Sequence, residues 1–442
     1  MQHKIQLIGT RLPQGQAQAQ ALTQMVLRTI HTRGNLDHTA LESFLQRTTS
    51  VIDAIEEAAS SLPTPELLDL IECALAAIET AMQQVDDSYG SLGDGLDRLQ
   101  GLHVRTCERG AIDPVDLAQR LFAWALRSDF GIFRDAVKTH ARALGNHGLD
   151  AYRQLAGAEW AKVRALGPGD ERKGNTDLRF RLQGLMLLLS KLSGGVEDEI
   201  AVLSRDLSNS HCYSSIVRAA LDAERHDLAV EWTQKGLVAF GEQCDLSLLE
   251  HGAEAFTLAG KVDEALALAW RAFEIRQNLD GYKTLLSSAD ASGSREVTRQ
   301  RALNLLSEQF RRGTRDPAYV LARENTPQSE FVRILVWEKD IVAAVSQATL
   351  HGCSWSLWSQ LAEAWEPDHP EEAITFHMRV IAGHLDRRND DAYRAATSRL
   401  ERVRRIAERI GKPQVFDRLV EQLRGEHMPK RNFRKMLDEK GW

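Results

Sequence analysis

The chain has 442 residues, of which 43% are hydrophobic and 26% are charged, and its formal net charge is -7. This length allows two or three ordinary domains or one extended repeat array, and the mild negative charge gives no overall attraction to nucleic acid. The most apolar run, residues 185–189, is too short to cross a bilayer. The five cysteines stand singly, which excludes a zinc site built from a local cysteine pair and suits a reducing compartment. Because the N-terminus also lacks an apolar signal core, we expect a cytoplasmic protein.

Apolar residues at helical spacing predict a series of helices over residues 16–163. Thr64 and Asp113 are each followed by a proline, and a capping residue before proline at the first helical position marks a helix start. On one of these helices, His103 and Cys107 are four residues apart and share a face. That spacing can present two metal ligands, but no third or fourth ligand is visible, so we interpret the two residues as a packed pair.

Residues 85–94 are the least repeat-like segment of the N-terminal half. We interpret them as a helix-start loop that works without metal, because Ser91 and Asp94 have capping-box spacing and acids favour the positive end of a helix dipole. The alternative is a small cation site, but calcium loops alternate their ligands and end in a distant glutamate, and this segment does neither. The residues that define the loop, the first three of which would hold the cation, are Asp86, Asp87, Ser88, Gly90 and Asp94.

A cluster of glycine and proline followed by a charged run predicts a linker at residues 167–178, between an N-terminal helical region, residues 1–166, and a repeat array, residues 179–442. In the array, Asp227 aligns with Asp263 at an offset of 36 residues, and Ala229 then aligns with Ala265. A period near 34 with small residues where helices touch is typical of tetratricopeptide-like hairpins, which must stack on neighbours to bury their apolar faces. The sequence therefore predicts an all-α fold: an α-solenoid of tetratricopeptide-like helical hairpins with an N-terminal helical region.

Two tryptophans are candidates for binding a partner. In a helical array, most tryptophans fill gaps between helices opposite small residues. Trp355 and Trp358, however, are three residues apart and share a face of one predicted helix. The alternative is that some rings line a groove and anchor a peptide, and these two are the candidates for that role.

The C-terminal part is locally basic, and Arg402, Arg405 and Arg409 share one helix face. We interpret this face as solvated, with Glu401 and Glu408 compensating part of its charge. The alternative is a contact for phosphates or for an acidic partner.

No dinucleotide-binding, P-loop, nucleophile-elbow or zinc-protease motif occurs in the chain. His351 and Cys353 are close in sequence, but nothing nearby marks a dedicated base, so we interpret Cys353 as a small core residue. We expect no enzymatic activity and no cofactor.

Four segments carry a resemblance to a known family: VDDSYGSLGD at residues 85–94, DLS at 206–208, WEKD at 337–340 and PKRNFRKML at 429–437. In their order and spacing they resemble the helical-repeat region of bacterial SWIM zinc-finger proteins and of related proteins of unknown function. The resemblance covers about residues 67–437 and supplies no catalytic residue. The finger of those proteins needs a Cys-x-Cys pair that this chain lacks, so its binding function does not carry over. The resemblance implies a cytoplasmic bacterial helical-repeat protein.

These observations favour a non-enzymatic scaffold that binds a protein partner on a solenoid surface. The alternative is a nucleic-acid-associated protein that uses the basic C-terminal helices, and an unrecognised enzyme ranks third. No membrane association is expected.

Overall fold

The computed structural model describes residues 14–31, 38–84, 91–110, 112–174, 176–312, 320–321 and 323–442. Within these ranges the regular structure is helical, and the only β-type pairing is an isolated bridge between Leu166 and Asp206. None of the described helices has the length and apolar content needed to span a membrane. The α-helices are α1 (Gln14–Thr29), α2 (His38–Ala58), α3 (Thr64–Met82), α4 (Ser91–Cys107), α5 (Pro114–Arg127), α6 (Ala136–Thr139), α7 (Ala141–Lys162), α8 (Thr176–Ser193), α9 (Val196–Leu203), α10 (Ser210–Asp222), α11 (His226–Phe240), α12 (Leu246–Leu258), α13 (Val262–Ile275), α14 (Leu279–Ala291), α15 (Arg295–Arg312), α16 (Pro327–Trp337), α17 (Ile341–His351), α18 (Trp355–Trp365), α19 (Pro370–Asp386), α20 (Asp390–Arg409), α21 (Pro413–Glu426) and α22 (Arg431–Glu439).

Contacts between Cα atoms divide the chain into two compact units, Met1–Ala223 and Glu224–Trp442. In the first unit α3 lies at the centre, and its residues Leu67, Ile71 and Leu75 are fully buried. Helix α3 packs on α1 and α4, while α5 packs on α7. Asp113 caps α5 as predicted, because its carboxylate accepts hydrogen bonds from the backbone N–H groups of the first helical turn. Helix α3 begins at Thr64 itself, with Pro63 at the capping position.

The predicted linker, residues 167–178, lies inside the first unit instead of between two regions. Backbone hydrogen bonds tie it to the segment after α9. Just before the linker, the Leu207 N–H donates to the Leu166 carbonyl oxygen at 2.8 Å, and within it the Gly169 N–H donates to the Ser208 carbonyl oxygen at 3.3 Å. The buried carboxylate of Asp206 accepts a hydrogen bond from Arg172 Nε at 2.9 Å, and Arg179 Nε lies 3.3 Å away. Glycine, proline and charge predict a break in helix correctly, but they do not reveal that the loop folds back onto its own unit.

The second unit repeats one motif, a helix, a tight turn and a second helix. Helices α12 and α13 pack closely on each other, as do α16 with α17 and α18 with α19. The aligned small residues Ala265 and Ala373 are both buried on the second helix of their hairpins. At Gly252 the fit is close, because a Cβ there would lie 2.6 Å from Thr233 Cγ2. The small residues therefore mark positions where helices touch, as the sequence pattern predicts.

The hairpin turns share one backbone conformation. In each of three turns a single residue has a positive φ: Gly260 (73°), Gly293 (67°) and Lys339 (64°). The next N–H bonds back to the carbonyl oxygen five residues earlier, for example Lys261 N to Phe256 O at 2.8 Å. This is the Schellman motif, which satisfies the free carbonyl groups at a helix end. Together with the repeated hairpins, it confirms the predicted all-α fold of tetratricopeptide-like hairpins.

Helices α19 to α22 close the second unit around one apolar cluster. The cluster includes Ile381 of α19, Leu400 of α20, Val420 of α21 and Phe433 of α22. Helix α20 is strongly two-sided: its apolar residues are buried and its arginines lie on the opposite side or at the boundary. This two-sided character fixes which way the predicted arginine face points.

Candidate functional site

Most of the aspartate-rich loop lies outside the described residues: Asp86, Asp87, Ser88 and Gly90 belong to residues 85–90. Helix α4 begins at Ser91, and Asp94 is exposed in its first turn. An acid at this place suits the positive end of the helix dipole. The interpretation of the segment as a metal-free helix-start loop stays a prediction.

The two tryptophans differ in their surroundings. Trp358 is fully buried, with its ring 5.2 Å from that of Phe376 and the Arg379 guanidinium 4.5 Å above it. Trp355 is half-buried, and its ring covers Gly383 of the same neighbouring helix, α19. The expectation that both rings line a groove therefore has to be corrected for Trp358, because α19 packs over it and makes it a core residue. A binding role for Trp355 stays a prediction.

The C-terminal arginines pair with acids from an earlier helix. Arg402 Nε donates to Glu366 Oε2 at 2.7 Å, and Arg409 Nη2 lies 3.2 Å from Glu366 Oε1. Glu366, just after α18, is largely buried, with a side chain 12% exposed. Arg405 is exposed. Two of the three predicted arginines are therefore held within the second unit, which leaves less positive charge for a phosphate backbone.

The acids that neutralise Arg402 and Arg409 are not the ones that the sequence pattern indicates. The predicted compensating acids serve other bases: Glu408 pairs with Arg404 at 2.9 Å and Glu401 with Lys440 at 2.6 Å. Burial raises the pKa of Glu366, but the hydrogen bond and charge of Arg402 outweigh it, so this pKa lies below its usual value and the group is ionised at neutral pH. Burial, with a smaller contribution from the charge of Arg399, lowers the pKa of the neighbouring His377 to about 4. His377 is therefore neutral at pH 7.

We expect no salt-sensitive nucleic-acid binding at physiological ionic strength, because Arg402 and Arg409 already share a buried carboxylate and the chain carries a net charge of -7. Fluorescence anisotropy with duplex and single-stranded oligonucleotides, titrated with salt, measures this directly. Submicromolar binding that weakens with salt, and that is lost when Arg402, Arg405 and Arg409 become alanine, would contradict the expectation.

A cleft of about 580 Å³ lies within the second unit, where α13 ends, α14 begins and α15 and α16 pack alongside. Ile275, the last residue of α13, is 58% exposed at its edge. Leu306 of α15 adds a second apolar wall. The remaining lining is mostly polar and comes mainly from the loop after α13 and from α16.

The polar groups of the cleft are only partly paired. Glu330 is buried, and its Oε2 accepts the backbone N–H of Leu279 at 3.0 Å. Arg333 Nη2 donates to the Glu324 carbonyl oxygen at 3.0 Å. In contrast, Gln277 Oε1 and Arg333 Nε are buried without a hydrogen-bond partner among the described residues, and Arg333 Nε lies 3.6 Å from the nearest Glu330 oxygen. Buried polar atoms are normally satisfied, so two residues that line the cleft each carry one polar atom with an unmet hydrogen bond.

Sequence reasoning missed this cleft because its walls come from residues 275–280, Leu306 and residues 325–333, which share no spacing pattern. The sequence features that could have indicated the cleft are two helix-capping residues. Asn278 caps α14 and Thr326 caps α16, so two helix starts converge there.

Cys353 is fully buried, and burial raises the pKa of its thiol far above the usual range. A thiol with a raised pKa is a poor nucleophile, which agrees with its interpretation as a core residue. In the first unit, the pair His103 and Cys107 has a third neighbour that the sequence did not indicate, His140. Burial lowers the pKa of His140 to about 3 and raises that of Cys107 to about 12.

Comparison with known proteins gives a family and distant structural likenesses, two of which are described below. No curated protein matches the chain. The alignment with the crystal structure of yeast Tom70 covers 93% of this chain and 96% of the Tom70 chain, at 11% identity and a TM-score of 0.27. The tetratricopeptide domain of P58(IPK) covers 92% and 98% at 12% identity and a TM-score of 0.20. TM-scores this low do not support any inference about this chain. The model of a family of unknown function, DUF6880, matches residues 4–436, and the chain belongs to that family.

Proposed function

We propose that this protein is a non-enzymatic scaffold that binds an extended peptide segment of a partner protein in the cleft between α13 and α16. The observation that carries the proposal is the combination, in one cleft of about 580 Å³, of an exposed aliphatic side chain with an unpaired buried acceptor and donor. An extended peptide backbone presents both N–H and C=O groups, so it complements Gln277 Oε1 and Arg333 Nε. Ile275 and Leu306 supply apolar contact for a partner side chain.

Peptide-display selection against the full chain tests the proposal, with affinities of selected peptides measured by fluorescence anisotropy. Ile275 is more than half exposed, so Ile275→Glu should leave the fold intact while placing a charge on the apolar edge of the cleft. We expect this variant to weaken peptide binding by about tenfold or more, equivalent to about 1.4 kcal/mol.

The matched control is Val238→Glu, since Val238 is an aliphatic residue of the same unit that is 87% exposed and does not line the cleft. Its peptide affinity should equal that of the unchanged protein, and both variants should keep the original melting temperature. Peptides that bind the Ile275→Glu variant as tightly as the unchanged chain would show that the cleft is not the binding site.

Two further parts of the proposal rest on the sequence. A cytoplasmic location is supported by five cysteines that are all unpaired. The likeness of four segments to the helical-repeat region of bacterial SWIM zinc-finger proteins supports a bacterial origin, and it assigns no binding role.

A further inference from the structure

Three potential metal ligands converge in the core of the first unit. His103 and Cys107 come from α4, and His140 lies between α6 and α7. Their ligand atoms all lie within 4.8 Å of one another, with His103 Nδ1 2.9 Å from His140 Nε2 and 3.5 Å from Cys107 Sγ. Each of the three residues is at most 1% exposed.

The segment that leads to His140, residues 128–140 with the short helix α6, is held against α4 by tertiary contacts. Phe133, in this segment, has a φ of 58°, a left-handed conformation that is costly for a bulky residue and that persists only where surrounding contacts impose it. Its N–H donates to Gln100 Oε1 of α4 at 3.2 Å. Its ring lies 4.5 Å from the His103 ring and 5.4 Å from that of His140. The segment thus fixes the distance between the two imidazoles.

A second set of contacts orients the His103 imidazole. Glu72 Oε1 of α3 lies 3.3 Å from His103 Nε2, and the same carboxylate accepts from Arg120 Nε at 2.9 Å and from Trp124 Nε1 at 3.0 Å. A carboxylate that accepts from Nε2 leaves the Nδ1 lone pair free, and Nδ1 is the atom that faces His140 and Cys107. Metal-binding histidines typically have such a carboxylate partner on the other ring nitrogen.

We propose that His103, Cys107 and His140 form a buried binding site for a transition metal ion of the zinc class. Two imidazole nitrogens and one thiolate suit zinc and its chemical relatives and do not suit calcium or magnesium, which prefer oxygen ligands. Zn–N and Zn–S bonds of about 2.0 and 2.3 Å place tetrahedral ligands about 3.3 Å apart for two nitrogens and about 3.5 Å apart for nitrogen and sulfur. The distance from His103 Nδ1 to Cys107 Sγ already fits, and the two nitrogens need to separate by about 0.4 Å. His140 Nε2 and Cys107 Sγ lie within 4.8 Å of each other, so a small side-chain movement brings this third pair to the required distance.

The proposed ion has a structural role that is separate from peptide binding in the second unit. It would join α4 to the start of α7 across a gap of more than thirty residues in sequence. Because the ligands are buried, the ion would enter during folding, so its binding would add to the stability of the first unit. The alternative is that the imidazoles hydrogen-bond directly to each other without metal.

Metal analysis of the untagged full chain, unfolded with a chelator to strip it and refolded with Zn²⁺, tests the site. We expect about one zinc per chain, a higher melting temperature after refolding with zinc than without it, and at least a hundredfold weaker zinc binding in Cys107→Ala and in His140→Gln. Cys73→Ser is the matched control, since Cys73 is a partly buried thiol of the same unit outside the cluster, and it should bind zinc as the unchanged chain does.

Cobalt substitution in the unchanged chain gives a reading that does not depend on any variant folding. A thiolate-to-cobalt charge-transfer absorption band, removed by competing zinc, would support the site. Absence of this band, or zinc binding that is unaltered in a folded Cys107→Ala variant, would overturn the proposal in favour of the hydrogen-bonded alternative.

Discussion

Replacing Asp206 by alanine should lower the free energy of unfolding of the first unit by about 3 kcal/mol. The Asp206 carboxylate is almost fully buried and accepts hydrogen bonds from Ser208 Oγ at 2.7 Å and from Arg172 Nε at 2.9 Å. Its removal leaves the buried guanidinium of Arg179, 3.3 Å away, without its counter-charge. An unpaired buried charge is among the most destabilising consequences of a single substitution.

Urea unfolding followed by circular dichroism measures this effect, and its pH dependence gives a second reading. Burial raises the pKa of Asp206, but hydrogen bonds from Ser208 and the charge of Arg172 outweigh it, so the folded-state pKa lies below the usual 3.8. The stabilisation is therefore complete above the unfolded pKa and is lost as the pH falls through the lower, folded pKa. The difference between the unchanged chain and Asp206→Ala should shrink accordingly in acid.

Asp150→Ala is the control, because Asp150 is an exposed carboxylate of the same unit in an i,i+3 pair with Arg153. This substitution should lower the free energy of unfolding by no more than about 0.5 kcal/mol. Equal unfolding free energies for the two variants would contradict the role given to Asp206.

Replacing Gly383 by alanine should destabilise the second unit by about 1–3 kcal/mol. Alanine normally stabilises a helix interior by about 1 kcal/mol relative to glycine. At Gly383, however, the new Cβ would lie 2.4 Å from the Trp355 ring carbons Cδ2 and Cε2, so ring or helix must move. The steric cost exceeds the gain in helix propensity because the Trp355 ring is held between α18 and α19.

The melting temperature should fall by roughly 2–4 °C per kcal/mol for a unit of this size. Gly425→Ala is the matched control: it lies near the end of another helix of the same unit, with no atom within 4 Å of its Cβ position, and should be neutral or stabilising. Adding Trp355→Ala to Gly383→Ala should recover part of the loss caused by the clash. An unchanged or higher melting temperature for Gly383→Ala alone would show that the ring is free to move.

The hairpins could be predicted from the sequence because their determinants are local. Asp227 and Asp263 lie in the first turns of α11 and α13, and the small residues two positions later are buried, as the 36-residue offset indicates. Capping by Asp113 could be predicted for the same reason. Each of these features depends on a few neighbouring residues and on helical spacing.

Long-range partners could not be predicted in this way. Arg402 finds its acid, Glu366, 36 residues upstream, although Glu401 and Glu408 are the acids next to its face in sequence. Trp355 and Trp358 are three residues apart, yet only Trp358 is covered completely by the following helix. His140 reaches His103 through a loop whose path depends on the left-handed Phe133. These contacts are set by how helices pack, which the periodicity of one helix does not specify.

The left-handed position in the hairpin turns is held by different residue types along the chain. Gly260 follows the positive-φ residue Glu224 by 36 positions, and Gly411 follows Lys339 by 72, twice that interval. The turn conformation therefore does not require glycine, since glutamate and lysine hold it where glycine would be less strained. The intervals in between differ, at 33 residues from Gly260 to Gly293 and 46 from Gly293 to Lys339, so the hairpins share the conformation of their turns and not one spacing.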